Sequence, residues 1–206
     1  MRKVFLSAVT ILAVFVLGRL SVQYPQLVAQ EIEPSCVMCP SAYISAEEIQ
    51  EYENVAIATG LTDLQIRSID IGKANVQIAL VHRGALEQPG ARSVAEHDLV
   101  TEVYYILSGS GTNVTGPDLL GKQPRPADNR AVQFLNGPGH NATGIRNSST
   151  YELTPGDVFV IPAGTGHQFT RIDDHITYLM VRVDPDKVVP LMDAVASQAY
   201  LAEQTQ

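Results

Sequence analysis

His97 and Glu102 lie five residues apart in "AEHDLVTEVYYILSGSG", and His167 ends a sharp turn in "PGDVFVIPAGTGHQF", which runs over 155–169. Two imidazoles and one carboxylate are a 2-His-1-carboxylate set. Such a set covers one face of a divalent transition metal and leaves positions open for substrate, oxygen or water. The donors suit Fe, Mn, Ni or Zn alike, and the affinity order does not choose among them. A hydrogen-bonded core histidine is the alternative reading of each imidazole. Spacing alone does not bring the three residues together.

Other side chains near these stretches could meet a substrate. Tyr104 shares the strand face of Glu102, so its hydroxyl is placed either to bond a substrate or to cap an aromatic core. Phe169 alternates with His167 and reads as a pocket wall or as core. His82 and Arg83 end a strand, with opposed directions, so only one faces inward. An inward Arg83 would suit a carboxylate, and an outward one is a solvated strand end. His140, in a Gly- and Asn-rich stretch, reads as a surface or lid residue, and His175 in "RIDDHI" as a turn residue. No nucleophile elbow, phosphate loop or dinucleotide fingerprint competes with this set.

The elements that must position these residues are short strands. "LQIRSIDIG", "NVQIALVHR", "TEVYYILSG", "DVFVIPA", "HQFTRI" and "ITYLMVRV" are rich in Val, Ile, Tyr and Thr, and most are bounded by Gly, Pro, Asn or Asp. With period two along "TEVYYILSG", Glu102, Tyr104 and Ile106 take one face of their strand, and Val103, Tyr105 and Leu107 the other. Turn signals between strands favour a sandwich or barrel over a parallel sheet. Ser45 and Glu48 form the S-x-x-E of a capping box, which predicts a short helix over 46–57. Val188, Leu191, Met192, Val195 and Ala196 fall at helical spacing and predict a C-terminal amphipathic helix. The Gly-, Pro- and Asn-rich stretch 112–151 reads as one long loop, a lid or a surface decoration.

Both candidate stretches resemble the two motifs of the cupin superfamily. The second motif, G-x5-P-x-G-x2-H-x3-N, is matched by Gly156, Pro162, Gly164 and His167, with Arg171 at the asparagine position. His97, Glu102 and Gly109 match the second His, the Glu and the closing Gly of the first motif, G-x5-H-x-H-x3,4-E-x6-G. Ala95 stands where its first His would, and Gly90 is one residue out of register. The resemblance implies an all-β fold, an antiparallel jelly-roll barrel with a metal inside its mouth. It implies His97, Glu102 and His167 as the ligands of one divalent transition metal, with three protein ligands rather than four.

The ends of the chain bear on compartment. Arg2 and Lys3 precede an apolar run over 4–18, with small residues near Val28 and Ala29, the pattern of a secretory signal peptide. Cleavage after Ala29 is the expectation. The run is shorter than the ~20 residues of a membrane span, and an uncleaved anchor is the alternative. Residues 30–44 then form a linker to a domain over 45–206. Without 1–29, which hold three basic residues and no acidic ones, 11 basic residues face 22 acidic ones. So acidic a surface repels phosphate backbones and excludes nucleic acid as a natural partner. Cys36 and Cys39 form a C-x-x-C pair with no second pair and no following His. In an oxidising compartment a small-loop disulfide is the reading of choice. Asn113, Asn141 and Asn147 begin N-x-S/T triplets, which matter where secreted chains are glycosylated.

Together these observations predict an exported, periplasmic or secreted protein, tethered if its leader is retained, with a small-molecule substrate and a possible homodimer through its barrel. O2-dependent oxidation of a small organic substrate is the leading expectation. Lewis-acid lyase or isomerase chemistry is the second, and a non-catalytic ligand-binding barrel the third.

Overall fold

The computed structural model describes residues 32–204; the leader expected over 1–29 lies outside the described residues. Among the described residues no helix is long and apolar enough to cross a membrane. Helix α1 spans Ala46–Thr59, with Ser45 as its N-cap accepting from the Glu48 N–H at 3.1 Å. The predicted capping box is half made. The Glu48 carboxylate turns away from the cap and binds Arg67 at 2.8 Å, tying the helix to the first strand.

Strands β1 (Asp63–Asp70), β2 (Asn75–Leu86), β3 (Val94–His97), β4 (Thr101–Gly109) and β5 (Gly111–Gly116) follow in order. Then come β6 (Asp118–Leu120), β7 (Gln123–Pro124), a single π turn at Ala131–Leu135, β8 (Gly139–Ala142) and β9 (Gly144–Arg146). The last strands are β10 (Ser149–Leu153), β11 (Val158–Ile161) and the 19-residue β12 (Gly166–Asp184). All pairings are antiparallel.

β12 is the axis of the barrel. Its first third pairs with β5 and β3 in one sheet, which β10, β8 and β7 extend. Beyond bulges near Phe169 and Ile172 it enters the other sheet between β2 and β4, with β1 and β11 outside them. A bulge inserts an unpaired residue and bends its strand, so one strand serves both layers. The sequence reading put two strands and a turn here. His175 lies in the strand at the bulge rather than in a turn, because "RIDDHI" keeps extended backbone through the bend.

Two apolar clusters hold the layers. Tyr104, Ile106, Phe169, Ile176, Tyr178 and Met180 meet between the sheets, and Tyr52, Ala56, Leu64, Ile66 and Leu80 seal α1 onto the outer face of β1 and β2. Burying each large side chain contributes about 1.5–3 kcal/mol. The period-two reading of β4 holds: Glu102, Tyr104 and Ile106 are buried, and Tyr105 is exposed.

Two expectations need correction. The C-terminal helix α2 is Ala194–Gln204, and residues 188–192 are not helical. Pro190 lacks the N–H that a helix interior uses, and Met192 instead exchanges both backbone hydrogen bonds with Ser68. The helix's buried contact is Ser197 against the Tyr52 hydroxyl (2.6 Å), while Val195 and Leu191 stay exposed. The stretch 112–151 is not one loop. It holds β6, β7, β8 and β9 whole, with most of β5 and the start of β10, and Asn113, first of the N-x-S/T triplets, is wholly buried in β5.

Candidate functional site

His97, Glu102 and His167 come together although they arise from three strands. β3 ends on His97, β4 begins beside Glu102, and β12 opens with His167 opposite Ala95. The turn into β12 explains the sequence around it. Pro162 accepts a hydrogen bond from Thr165, and Gly164 sits at φ +78°, a left-handed conformation that glycine adopts without strain. The Gly164 N–H also binds the His97 carbonyl at 2.7 Å, fastening the two ligand-bearing segments to each other.

The three side chains are buried, at 7%, 2% and 7% exposure. His97 Nε2 is 3.3 Å from Glu102 Oε1, and His167 Nε2 is 3.4 Å from Glu102 Oε2. Donor atoms bound about 2.0–2.2 Å from one small cation stand about 3–3.5 Å from each other, so the spacing fits a single ion. The carboxylate is further gripped by the Tyr104 hydroxyl (2.9 Å to Oε2), by Asn136 Nδ2 (2.6 Å to Oε1) and by Arg182 Nε (3.5 Å to Oε1). Arg182 is wholly buried and is held in turn by Gln65 (3.0 Å) and by Asp63. Burial alone would raise the Glu102 carboxyl, but the imidazoles of His97 and His167 and the Arg182 guanidinium hold it well below the usual carboxylate range. Burial pushes Tyr104 well up, with the Glu102 charge adding to it, so its hydroxyl keeps its proton and donates.

The protons on the imidazoles discriminate between a metal site and a plain polar core. His167 Nδ1 faces the Thr165 carbonyl at 3.3 Å, an acceptor only, so Nδ1 carries the proton. Burial lowers the His167 pKa to about 4, so the ring is neutral near pH 7. Its Nε2 lone pair therefore faces the Glu102 carboxylate, acceptor against acceptor. A cation between them resolves that conflict, and the carbonyl behind the ring is the partner that metal-bound histidines usually have. His97 is arranged differently. Arg125 Nη1, a donor only, lies 3.3 Å from His97 Nδ1, so here the proton sits on Nε2 and points at Glu102. To serve as a ligand through Nε2, His97 would carry its proton on Nδ1 instead. Arg125 can yield there, because Asn141 Oδ1 (2.7 Å) and the His140 carbonyl (2.9 Å) still hold it. The donor set fits one divalent transition metal.

The set opens into a cavity of about 590 Å³, walled by Arg83, Tyr104, Arg125, Leu135 and Asn136 among others. Arg83 is the inward member of its pair, whereas His82 bonds Thr177 Oγ1 (2.8 Å) and stacks on His175 outside the cavity. Phe169 is nearly buried, lies under the Arg83 guanidinium at 5.5 Å, and walls a smaller neighbouring cavity of about 180 Å³. His140 lies on β8 and bridges Glu96 (2.9 Å) and Asp98 (3.1 Å), and Lys122 joins the same Glu96 at 3.2 Å. Cys36 and Cys39 are joined as a disulfide. Sequence reading missed Arg125, Asn136 and Arg182, which carry no local motif and meet Glu102 or His97 only through the fold.

Residues 146–205 match the AraC-like ligand binding domain family. No curated protein matches. Among solved structures, a DMSP lyase from Ruegeria pomeroyi DSS-3 is similar at 18% identity, covering 54% of this chain and 39% of that one, with a TM-score of 0.33. A second DMSP lyase structure is covered over only 37% of its chain, so this chain spans well under half the length of either. A protein from Bacillus halodurans is 15% identical over 78% of this chain and 96% of its own, with a TM-score of 0.40. A cupin 2 conserved barrel domain protein from Salinispora arenicola is 13% identical over 68% and 82%, with a TM-score of 0.34. The strands form an antiparallel jelly-roll barrel that carries both cupin-like motifs, and the likeness to the AraC-like ligand binding domain family covers its C-terminal part.

Proposed function

We propose that this protein is a metal-dependent enzyme that acts on a small organic substrate inside the barrel, with O2-dependent oxidation as the leading reaction. The observation that carries the reading is the His167 lone pair set against the Glu102 carboxylate inside a buried three-donor cluster. A divalent transition metal there would be held by His97, Glu102 and His167, and would supply open coordination positions for substrate and oxygen. The chain's own groups do the rest. Asn136, Arg182 and Tyr104 orient the Glu102 carboxylate, and the Tyr104 hydroxyl stays protonated as a donor at the cavity floor. The cavity's volume suits a small molecule. The Cys36–Cys39 disulfide supports an oxidising, extracytoplasmic location.

The test reconstitutes the protein with Fe(II), Mn(II), Ni(II) or Zn(II) and screens small organic acids, alcohols and aldehydes under air and under argon. Turnover confined to air, and lost in His97→Ala/His167→Ala, supports oxidation. Turnover under both atmospheres moves the assignment to Lewis-acid lyase or isomerase chemistry. Turnover that survives the double substitution overturns the metal reading.

A further inference from the structure

Arg83 is a cation held without an anion. Its Nε donates to the Tyr178 hydroxyl at 3.2 Å, and its guanidinium lies 5.5 Å above the Phe169 ring. Among the described residues it forms no ion pair with a carboxylate, although Asp63 and Glu102 line the same cavity and are taken up by Arg182. One of its five N–H donors is used by Tyr178. Arg83 itself lines both cavities. Tyr178 and Phe169 set the plane of the fork, and an arginine whose plane is fixed in advance loses little freedom when it grips a planar anion.

The position of this fork matters as much as its charge. Arg83, Ala95, Tyr104 and His167 line both the large cavity and the smaller one, so they form the wall between the two. Ala95 pairs with His167 across the sheet, and its methyl group leaves the space beside that imidazole open. A group standing there touches the three-donor cluster on one side and Arg83 on the other. The surrounding charge agrees. The chain as a whole carries −8, yet Arg83, Arg92 and Arg125 all line the large cavity, and among the described residues none of them is paired with a carboxylate. A wall of this sign in an acidic protein concentrates small anions.

We infer that the ligand is a small organic acid whose carboxylate is received by Arg83 in the space left open at Ala95, with the remainder of the molecule directed at the His97, Glu102 and His167 cluster. This rests on the reading of the cavity as a substrate site, and it names the substrate class. It does not require a particular metal.

The experiment measures calorimetric binding of glycolate, pyruvate, malonate, succinate and benzoate, each beside its neutral amide. The protein is the full chain, in metal-free form and loaded with one equivalent of Zn(II). At least one acid is expected to bind while its amide does not. Arg83→Gln is expected to weaken that acid about tenfold to a hundredfold, the range for a hydrogen bond to a charged group, with zinc content unchanged. Arg83→Lys keeps the charge and the alkyl stem but loses the fork, and its loss is expected to fall between wild type and Arg83→Gln. Should Arg83→Gln fail to fold, Arg83→Lys carries the test, and acid binding equal to wild type overturns the inference. Equal binding of acids and amides, binding indifferent to Arg83→Gln, or no binding by any acid also overturns it. Zinc bound with Arg83-independent acid binding removes the inference alone. Arg83-dependent acid binding in a protein that holds no zinc removes the metal reading alone.

Discussion

Asn136 offers the sharpest perturbation of the cluster, because it touches the carboxylate without being a candidate ligand. Its Nδ2 donates to Glu102 Oε1 at 2.6 Å, and the residue is 4% exposed, so the bond is both charge-assisted and buried. A hydrogen bond to a charged group is worth about 1.5–3 kcal/mol. Arg182 reaches the same oxygen only at 3.5 Å, a longer and weaker bond than the one removed. Asn136→Leu preserves volume and removes the donor, leaving Oε1 free to rotate away from His97. Metal affinity is then expected to fall about tenfold to a hundredfold, as it does when an outer partner of a ligand is lost. Titration of Zn(II) against a chromophoric chelator reads this directly, with circular dichroism showing that the variant is folded. Tyr104→Phe removes the bond to the other oxygen, and the two effects on one carboxylate should couple by more than about 0.5 kcal/mol. A folded Asn136→Leu protein whose zinc affinity stays within twofold of wild type would refute the idea that Asn136 orients Glu102.

Three further outcomes follow from the same geometry. Arg125→Gln removes a donor and a positive charge from His97 Nδ1, so zinc should bind several-fold more tightly in the same titration, and weaker binding would count against the proton placement on His97. Burial lowers the His167 pKa from 6.5 to about 4, so between those values the unfolded chain holds a proton that the folded chain lacks. The metal-free protein should therefore lose on the order of 3 kcal/mol of stability as pH falls through that window. Urea unfolding at several pH values, with His167→Gln as the flat reference, checks it; identical pH profiles would contradict it. A Cβ at Gly139 would press on the Glu96 carbonyl oxygen and lie 3.1 Å from His97 Cα. Gly139→Ala should cost about 1–3 kcal/mol by overpacking and weaken zinc binding as well, whereas a loss of stability with unaltered zinc affinity would separate β8 from the site.

What the sequence disclosed depends on how local each cause is. The alternation in "TEVYYILSG" placed Glu102 and Tyr104 on one buried face because a strand with one solvent-facing side records its orientation residue by residue. The turn at Pro162 and Gly164 was legible for a similar reason, since a positive φ calls for glycine. Strand β10 was not legible. Four of its five residues, Ser149 to Glu152, are exposed, so no apolar face marks it, and its partner β5 is built of Gly, Thr and Asn with a single Val. The helical spacing of Val188 and Leu191 misled because Pro190 and the bridge from Met192 to Ser68 outweigh a period of 3.6. Asn136 and Arg182 lie 34 and 80 residues from Glu102 along the chain. Only the closed barrel brings them to its carboxylate.

The central claim is that the cluster holds a metal, and the most direct measurement is metal content by plasma mass spectrometry. The purified protein is compared with His97→Ala/His167→Ala after identical preparation. Close to one equivalent of a single transition metal in the wild type, lost in the double variant, is the predicted result. Trace amounts of mixed metals, equal in both proteins, would contradict it and leave the barrel as a metal-free ligand site.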